Sequence, residues 1–526
     1  MSLKINMPKI DLNPQDWNEV CHILRKHVPE YSVWAFGSRV KWTAKAYSDL
    51  DLAIITQQPL SLTRMASIKE AFDDSNLSIR VDIVDWATTS ETFRKIIEQY
   101  KVVVQKGEEE FGGISSKWVL TSIDELKAST PGSIAIGPFG SRMKSDCYVA
   151  YGVRVVRGTN LMAGRKFSGE FVFITEDKAK ELGSSNLQPN DLVFPHRGSI
   201  GEVGIVPDDG EHYVLSSGLM KLSCDTTKAT PLFIYYFFKS SFGRYELLKN
   251  ASQVGTPGIG QPLTSLKAIK LRLPPIKMQQ EIATILVSLD DRIALLRETN
   301  TTLEAIALAL FKSWFVDFGP VRAKQQGLEP EGMESATAAL FPDSFEESEL
   351  GLVPSGWRVG RVEQLLELAY GKALKASDRI AGAIPVYGSG GVTGYHNEAL
   401  VNAPSIVIGR KGTVGSLYWE DRPFFPIDTV FYVKTKEPLT YCFYQLQRLG
   451  LEDMNTNEAV PGLNRNDVYR LPILAPPHEV LLAFDEIVSP LRQKIFANSE
   501  QAQNLATLRD TLLPRLISGQ LRLPDT

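Results

Sequence analysis

The sequence predicts a multidomain α/β protein. A small α/β domain comes first, then two larger α/β domains separated by two long helices that pair as an antiparallel coiled coil. Length is the first ground, because 526 residues are too many for one hydrophobic core and imply three or four domains. Short β-like runs are the second: Val33–Phe36, Gly152–Val156, Leu192–Pro195, Ser405–Ile408 and Thr429–Val433 are spread along the chain. The third is a pair of long helical stretches, each opened by Pro-Pro.

The first stretch starts at Pro274-Pro275 and then runs without Pro or Gly to Phe318. Within it Ile282, Ile285, Leu289, Ile293, Leu296, Leu303, Ile306 and Leu310 recur at steps of three and four or their sums, which draws one apolar seam along a helix. A helix of roughly forty residues is about 60 Å long and cannot bury its own seam. The partner lies in the same chain. After Pro476-Pro477, an offset of 202 residues lands on Phe484, Ile487, Leu491, Ile495, Leu505, Leu508 and Leu512. Only Leu296 maps to a polar residue, Asn498, and a polar residue in a seam fixes register. The shared offset and the shared Pro-Pro starts mark an internal repeat.

Upstream, residues 1–107 read as the small α/β domain. Asn13-Pro14 followed by Trp17, Val20, Ile23 and Leu24 predicts a short helix. Val33–Phe36 and Ser48–Ile55 predict strands, with Gly37-Ser38-Arg39 between them, and Ile79–Trp86 predicts a third. Side chains alternate along a strand, so Asp49 and Asp51 share one face, roughly 7 Å apart, while Leu50, Leu52 and Ile54 face the core. Asp82 joins them from the third strand, with Asp85 a weaker alternative. Three carboxylates converging from two strands suit Mg²⁺, which takes oxygen ligands shared with substrate phosphates. A Gly-Ser turn ahead of them lets the backbone approach a triphosphate.

These residues resemble the minimal nucleotidyltransferase family, related to the polymerase-beta-type fold. Its pattern of Gly-Ser-Arg, a gap, Ser-Asp-x-Asp-Leu and a later strand Asp is met by Gly37, Ser38, Arg39, Ser48, Asp49, Asp51 and Asp82. The resemblance implies transfer of a nucleoside monophosphate from NTP. Asp49, Asp51 and Asp82 would be catalytic and metal-binding, and Gly37, Ser38, Arg39 and Ser48 nucleotide-binding. The chain departs from the pattern at Trp42, where family members usually carry Gly.

Residues 108–116 form a polar, Gly-flanked linker. Beyond it the chain repeats on a large scale. Lys117-Trp118 leads into a segment ending at Leu126, as Gly356-Trp357 leads to Leu365-Leu366. Gly198-Ser-Ile-Gly201 is echoed by Gly412-Thr-Val-Gly415, and Pro257-Gly258-Ile259 by Pro461-Gly462-Leu463. The repeat divides the chain into a domain at 117–273, a helix at 274–318, a connector at 319–354, a second domain at 355–475 and a second helix at 476–526. The buried-looking runs Tyr235–Phe238 and Tyr441–Tyr444 read as core helices rather than base-stacking platforms.

Gly137-Pro-Phe-Gly-Ser141 with Lys144, Asp146 and Tyr148, and Ile384-Pro-Val-Tyr-Gly-Ser-Gly-Gly391 followed by Gly409-Arg-Lys-Gly412, are similar to openings of type I restriction–modification specificity subunit domains. The connector residues Phe315–Phe318, Leu340–Phe345 and Leu350-Gly351 belong to the same pattern. This resemblance spans about residues 117–526. It implies two target-recognition domains, each reading half of a split double-stranded DNA sequence. The helices would set the unread spacer, and two methyltransferase subunits and a motor-nuclease would be the partners. S-adenosylmethionine and ATP would bind those partners, not this chain.

Base edges are read by donors on exposed loops. The candidates are Arg142, Lys144, Arg157, Asn160, Arg197 and Gln253 in the first recognition domain, and Lys372, Lys375, Arg410, Lys411, Asn464 and Arg465 in the second. Taken singly, each reads as a solvated surface residue; the case is collective.

Composition excludes other classes. Hydrophobic content of 43% and charged content of 22% are those of a globular protein, and no apolar run reaches membrane-spanning length. A net charge of −4 argues against a non-specific nucleic-acid coat. Cys21, Cys147, Cys224 and Cys442 form no Cys-x-x-Cys pair, so reduced thiols in a cytoplasmic protein are expected. Neither an ATP-motor P-loop nor an Asn/Asp-Pro-Pro-Tyr/Phe methyltransferase motif is present. An alternative makes the first domain primary: a nucleotidyltransferase acting on a partner protein or nucleic acid, with the remainder a DNA-targeting module.

Overall fold

Local sequence rules place the first elements. In the computed structural model, Asn13 caps helix α1 (Pro14–His27) by accepting the Asp16 N–H at 2.8 Å. Strands β1 (Ser32–Phe36) and β2 (Leu50–Ile55) follow, then α2 (Leu62–Asp73), β3 (Val81–Asp85), α3 (Glu91–Gln99) and β4 (Val102–Gln105). They form a four-stranded sheet in the order β3-β2-β1-β4, with β2 and β3 parallel and β1 antiparallel to both of its neighbours. Val33, Leu50, Leu52, Ile54 and Ile83 pack against Val20, Leu24, Ile68 and Phe72 of α1 and α2. The alternation that buries Leu50, Leu52 and Ile54 leaves Asp51 on the other face.

The structure describes residues 10–45, 48–56, 58–105, 118–139, 142–161, 164–252, 257–402, 404–454, 462–521 and 523. The expected linker 108–116, Gly140-Ser141, Gln253 and Pro461 lie outside them. The chain divides into two compact units, one of residues 1–291 with 505–526 and one of residues 292–504.

In the first unit the first repeated domain has two four-stranded sheets. One runs Gly204–Ile205, Leu192–Pro195, Leu219–Leu222 and Ile134–Ile136 in order; the other runs Val172–Ile174, Val153–Val156, Tyr213–Leu215 and Asn186–Leu187. Val119–Ser122, the strand after Trp118, pairs antiparallel with Lys270–Leu273, so the domain's two ends close on each other. The helix Pro231–Lys239 buries every aromatic of the run Tyr235–Phe238. This core also takes in Ile282 and Leu286 from the start of the first long helix, and Leu513, Leu516 and Ile517 from the end of the second.

The second unit repeats the plan. Arg358–Arg361, after Trp357, pairs with Pro472–Ala475. The sheet Glu367–Tyr370, Val430–Lys434, Ser405–Gly409 and Leu417–Glu420 and a three-stranded sheet around Ile384–Gly388 form the domain, and the helix Leu439–Arg448 buries Tyr441–Tyr444. Phe311, Trp314 and Phe315 of the first long helix share a core with Val480, Leu481, Phe484 and Val488 of the second.

The first long helix spans Ile276–Phe315 and the second His478–Ser518, so their starts also differ by 202 residues. The seam differs from the expected one in detail. Ile306, Ile487 and Leu508 are exposed, and Leu310 is half-buried, whereas Ala307, Phe311, Trp314 and Phe315 are buried. A repeat of 3.6 residues per turn drifts around the helix over successive heptads. The bulky aromatics of the domain core then decide which side is covered at that end. Asn498 is buried, and its amide donates to Asn300 Oδ1 at 2.9 Å. No helix among the described residues is long and apolar enough to cross a membrane.

Candidate functional site

The first site lies where β1, β2 and β3 meet. Gly37 follows β1 with φ 79°, a conformation that costs other residues free energy. A Cβ there would overlap the Asp51 carboxylate, so the position needs glycine for conformation and for space. Asp51 faces Phe36 on β1 and Asp82 on β3 in register. Burial, then the neighbouring Asp82 and Asp49 charges, push the Asp51 carboxyl above the ordinary carboxylate range. Asp82 and Asp49 are exposed. Among the described residues no group of three His, Cys, Asp or Glu side chains is arranged to hold a metal ion. In chemistry, though not in arrangement, Asp49, Asp51 and Asp82 are the donors a hard divalent cation takes. The set is all carboxylate, its charges disfavour one another, and Gly37 puts no side chain beside Asp51.

The surrounding residues take roles the sequence did not disclose. Arg39, expected at the nucleotide, is buried, and its guanidinium donates to the Ser48 carbonyl at 2.9 and 2.7 Å and to the Asp11 carbonyl at 2.8 Å. It holds the segment that presents Asp49. Ser48 is likewise engaged, its Oγ accepting the Lys45 N–H at 2.9 Å. Ser38 accepts the Thr43 N–H through its carbonyl at 3.0 Å, which ties the loop carrying Trp42 to the site. Trp42 holds φ 57° and is 62% exposed. The alternative carboxylate, Asp85, is buried and accepts from the Thr56 hydroxyl, the Leu60 N–H at 2.6 Å and the Ala87 N–H at 3.0 Å. It caps the turn after β3 and is not available as a ligand.

The second site comprises the basic residues of the repeated domains. Arg197 bridges Gly258, and Lys411 bridges Gly462, so the two halves hold an exposed cation at matching turns. Gly198, Gly201, Gly412 and Gly415 in those turns all have positive φ. Lys144, Lys372 and Lys375 are exposed. Arg142 is exposed and donates to the Glu181 carbonyl at 3.1 Å. Arg157 donates to the Glu170 carbonyl at 2.8 Å.

Two amides behave differently from expectation. Asn160 is fully buried; its Oδ1 accepts the Arg157 N–H at 2.9 Å and its Nδ2 donates to the carbonyls of Ser168 and Glu170. It shapes a loop, and its buried amide is not presented on the surface as a base reader would be. Asn464 caps the helix Arg465–Tyr469 by accepting the Asn466 N–H at 2.9 Å. The structure also brings forward Tyr370, which sequence reasoning missed. The Arg410 and Arg465 guanidinium carbons stand 5.0 and 4.9 Å from its ring centroid. An aromatic directly before Gly371-Lys372 was the available signal.

The structure is thus modular: a small α/β domain with paired strand carboxylates, followed by two copies of a β-rich domain with basic turns. Residues 138–305 and 354–496, more than half of the chain, match the type I restriction modification DNA specificity domain, and residues 18–109 match the family described as polymerase beta, nucleotidyltransferase. The chain belongs to the type I restriction–modification specificity family and carries an N-terminal nucleotidyltransferase domain. It is 26% identical over 439 residues to the type I restriction enzyme HindI specificity subunit of Haemophilus influenzae, covering 68% of this chain and 93% of that protein. Its first domain is 53% identical over 100 residues to the probable protein adenylyltransferase MntA of the same organism, covering 19% of this chain and 88% of that protein. The solved S subunit of the type I restriction–modification system from M. genitalium shares the fold, with a TM-score of 0.53 at 19% identity over 79% of this chain and 98% of that one.

Proposed function

We propose that this chain reads a split double-stranded DNA sequence, half through each repeated domain, and directs methyltransferase and motor-nuclease subunits to it. The observation that carries the reading is the matched pair of exposed cations, Arg197 and Lys411, on equivalent bridged turns in two domains of the specificity family. A second cluster, half-buried Arg410 and Arg465 on the exposed ring of Tyr370, offers phosphate-binding charge in the second domain. The long helices, each about 60 Å, would act as a coiled-coil spacer that sets the unread base pairs. Their exposed apolar residues, Leu295, Leu308, Leu482 and Ile487 among them, suit docking of the methyltransferase subunits. Co-expression with the cognate methyltransferase and mapping of methylated genomic sites tests this. Exchanging residues 117–273 for those of a relative should alter one half-site only; a change in both half-sites would refute the two-reader arrangement.

The N-terminal domain favours a second activity alongside. Gly37 lets its turn close on the Asp51 carboxylate, and Asp49, Asp51 and Asp82 supply the acidic set. The domain would take an NTP with Mg²⁺ and transfer the nucleoside monophosphate to a partner protein or nucleic acid. In that case the remainder also serves as its DNA-targeting module. Incubation with labelled ATP, Mg²⁺ and the partner subunits should give label transfer that Asp49→Ala and Asp51→Ala abolish. Absence of label with every partner would retire this activity and leave the DNA reading intact.

A further inference from the structure

The facing sides of the two long helices carry polar residues whose arrangement is not symmetric, although the helices repeat. In the first unit Asp290 of the first helix accepts from Arg509 of the second at 2.7 Å, and Tyr236 of the adjoining domain donates to the same carboxylate at 2.6 Å. In the second unit Glu304 of the first helix accepts from Arg492 of the second at 2.5 Å, and Tyr444 donates to it at 3.1 Å. Between them in sequence, Asn300 bonds Asn498 and donates to the Ile495 carbonyl at 3.1 Å and the Ser499 hydroxyl at 2.9 Å. Both acids therefore lie on the first helix and both arginines on the second.

The repeat sharpens the asymmetry. The helices start 202 residues apart, so the position corresponding to Asp290 is Arg492. Neighbouring apolar positions keep their character across that offset, since Ile282 and Leu286 correspond to Phe484 and Val488 and all four are buried. Charge is reversed where apolarity is kept. If the first helix met the first helix of a second copy in the same register, Glu304 would face Asp290, and Asn300 would face Leu296. If second helix met second helix, Arg509 would face Arg492, and Asn498 would face Ala502. Opposite-charge pairs would give way to like-charge pairs, and the bonded asparagines would face apolar side chains.

We propose that Asp290, Glu304, Arg492 and Arg509 form a charge code that joins the two long helices of one chain and rejects the like helix of a second copy, with the Asn300–Asn498 bond fixing their register. A repeat protein needs such a device, because two amphipathic helices of similar seam otherwise exchange between molecules. Apolar contact supplies the attraction, and polarity selects the partner.

One double variant reverses the code without altering net charge. In Asp290→Arg with Arg492→Glu, each helix becomes complementary to itself, with position 290 now basic toward Glu304 and position 492 now acidic toward Arg509. The two helices of one chain then repel. Light scattering after size exclusion of the full chain should show wild type at its monomer mass of 58.4 kDa and the double variant at about twice that. The quadruple variant D290R/E304R/R492E/R509D restores opposite charges within the chain in reversed order and should return to monomer with a melting temperature near wild type. A wild type that dimerises through like helices, or a double variant that stays monomeric, overturns the proposal. Should the double variant fail to fold, the quadruple variant decides: a folded monomer supports the code, and failure to recover overturns it.

Discussion

Gly37 and Asp51 occupy one space: the carboxylate of Asp51 lies where a Cβ on Gly37 would stand, and the same glycine holds φ 79°. Replacement by alanine must strain the backbone and displace the carboxylate together. Gly37→Ala should cost roughly 2–5 kcal/mol of the stability of its domain, adding a left-handed penalty to an overpacking one. It should also remove the proposed nucleotidyl transfer. Chemical denaturation read at the N-terminal domain checks the first effect, and label transfer checks the second.

Asp51 should make the domain weaker as pH rises. Its carboxyl is raised above the ordinary range by burial and by the Asp82 and Asp49 charges, so the folded state disfavours the ionised form. The unfolded chain loses that proton at lower pH than the folded one. Stability linked to this group is therefore present below the ordinary carboxylate pKa and is lost as pH rises through the raised value. Asp51→Asn should melt higher than wild type at neutral pH, and the gap should close as pH falls to the ordinary carboxylate range, about 4. A constant gap across that range would assign the effect to something other than ionisation.

Trp42 sits in the left-handed region at φ 57° with most of its ring in solvent, so little burial offsets the strain. Trp42→Gly should stabilise the N-terminal domain by about 1 kcal/mol, because glycine adopts this conformation without a Cβ penalty. Equilibrium denaturation measures it. A destabilised variant would show that the indole makes contacts that outweigh the strain.

Arg410 and Arg465 both stand over one ring, Tyr370, and the proposed function makes them phosphate contacts. Arg465→Ala should weaken binding of all DNA sequences by about tenfold and lower the salt-dependence slope by about 1. A loss confined to one target base would instead make Arg465 a base reader.

Much of this architecture was legible in the sequence, because periodicity and punctuation are local. Pro-Pro followed by a 3.6-residue seam located both long helices, and Leu192–Pro195 is a strand as read. Roles that depend on who satisfies a buried polar group were not legible. Arg39 and Asn160 have the right chemistry for ligands, but distant backbone carbonyls consume their donors. Asp85 resembles Asp82 in sequence, and only the Thr56 hydroxyl and two N–H groups that engage it tell the two apart. The seam misled at Ile306 for a similar reason: spacing nominates a face, while the aromatic core around Phe311 and Trp314 decides which face is covered.

The helices themselves carry the most exacting prediction. If their length sets the spacer of the DNA target, then a heptad inserted into each long helix at matched levels keeps the seam in phase and lengthens both by about 10 Å. At roughly 3.4 Å per base pair that is about three base pairs. Methylation mapping of the lengthened protein should return the same two half-sites separated by about three more base pairs, since the recognition domains are untouched. Insertion into one helix alone offsets Asn300 from Asn498 and Glu304 from Arg492, and should destabilise the pair without defining a new spacer. An unchanged spacer at full methylation in the doubly lengthened protein would mean that something other than the helices sets the distance.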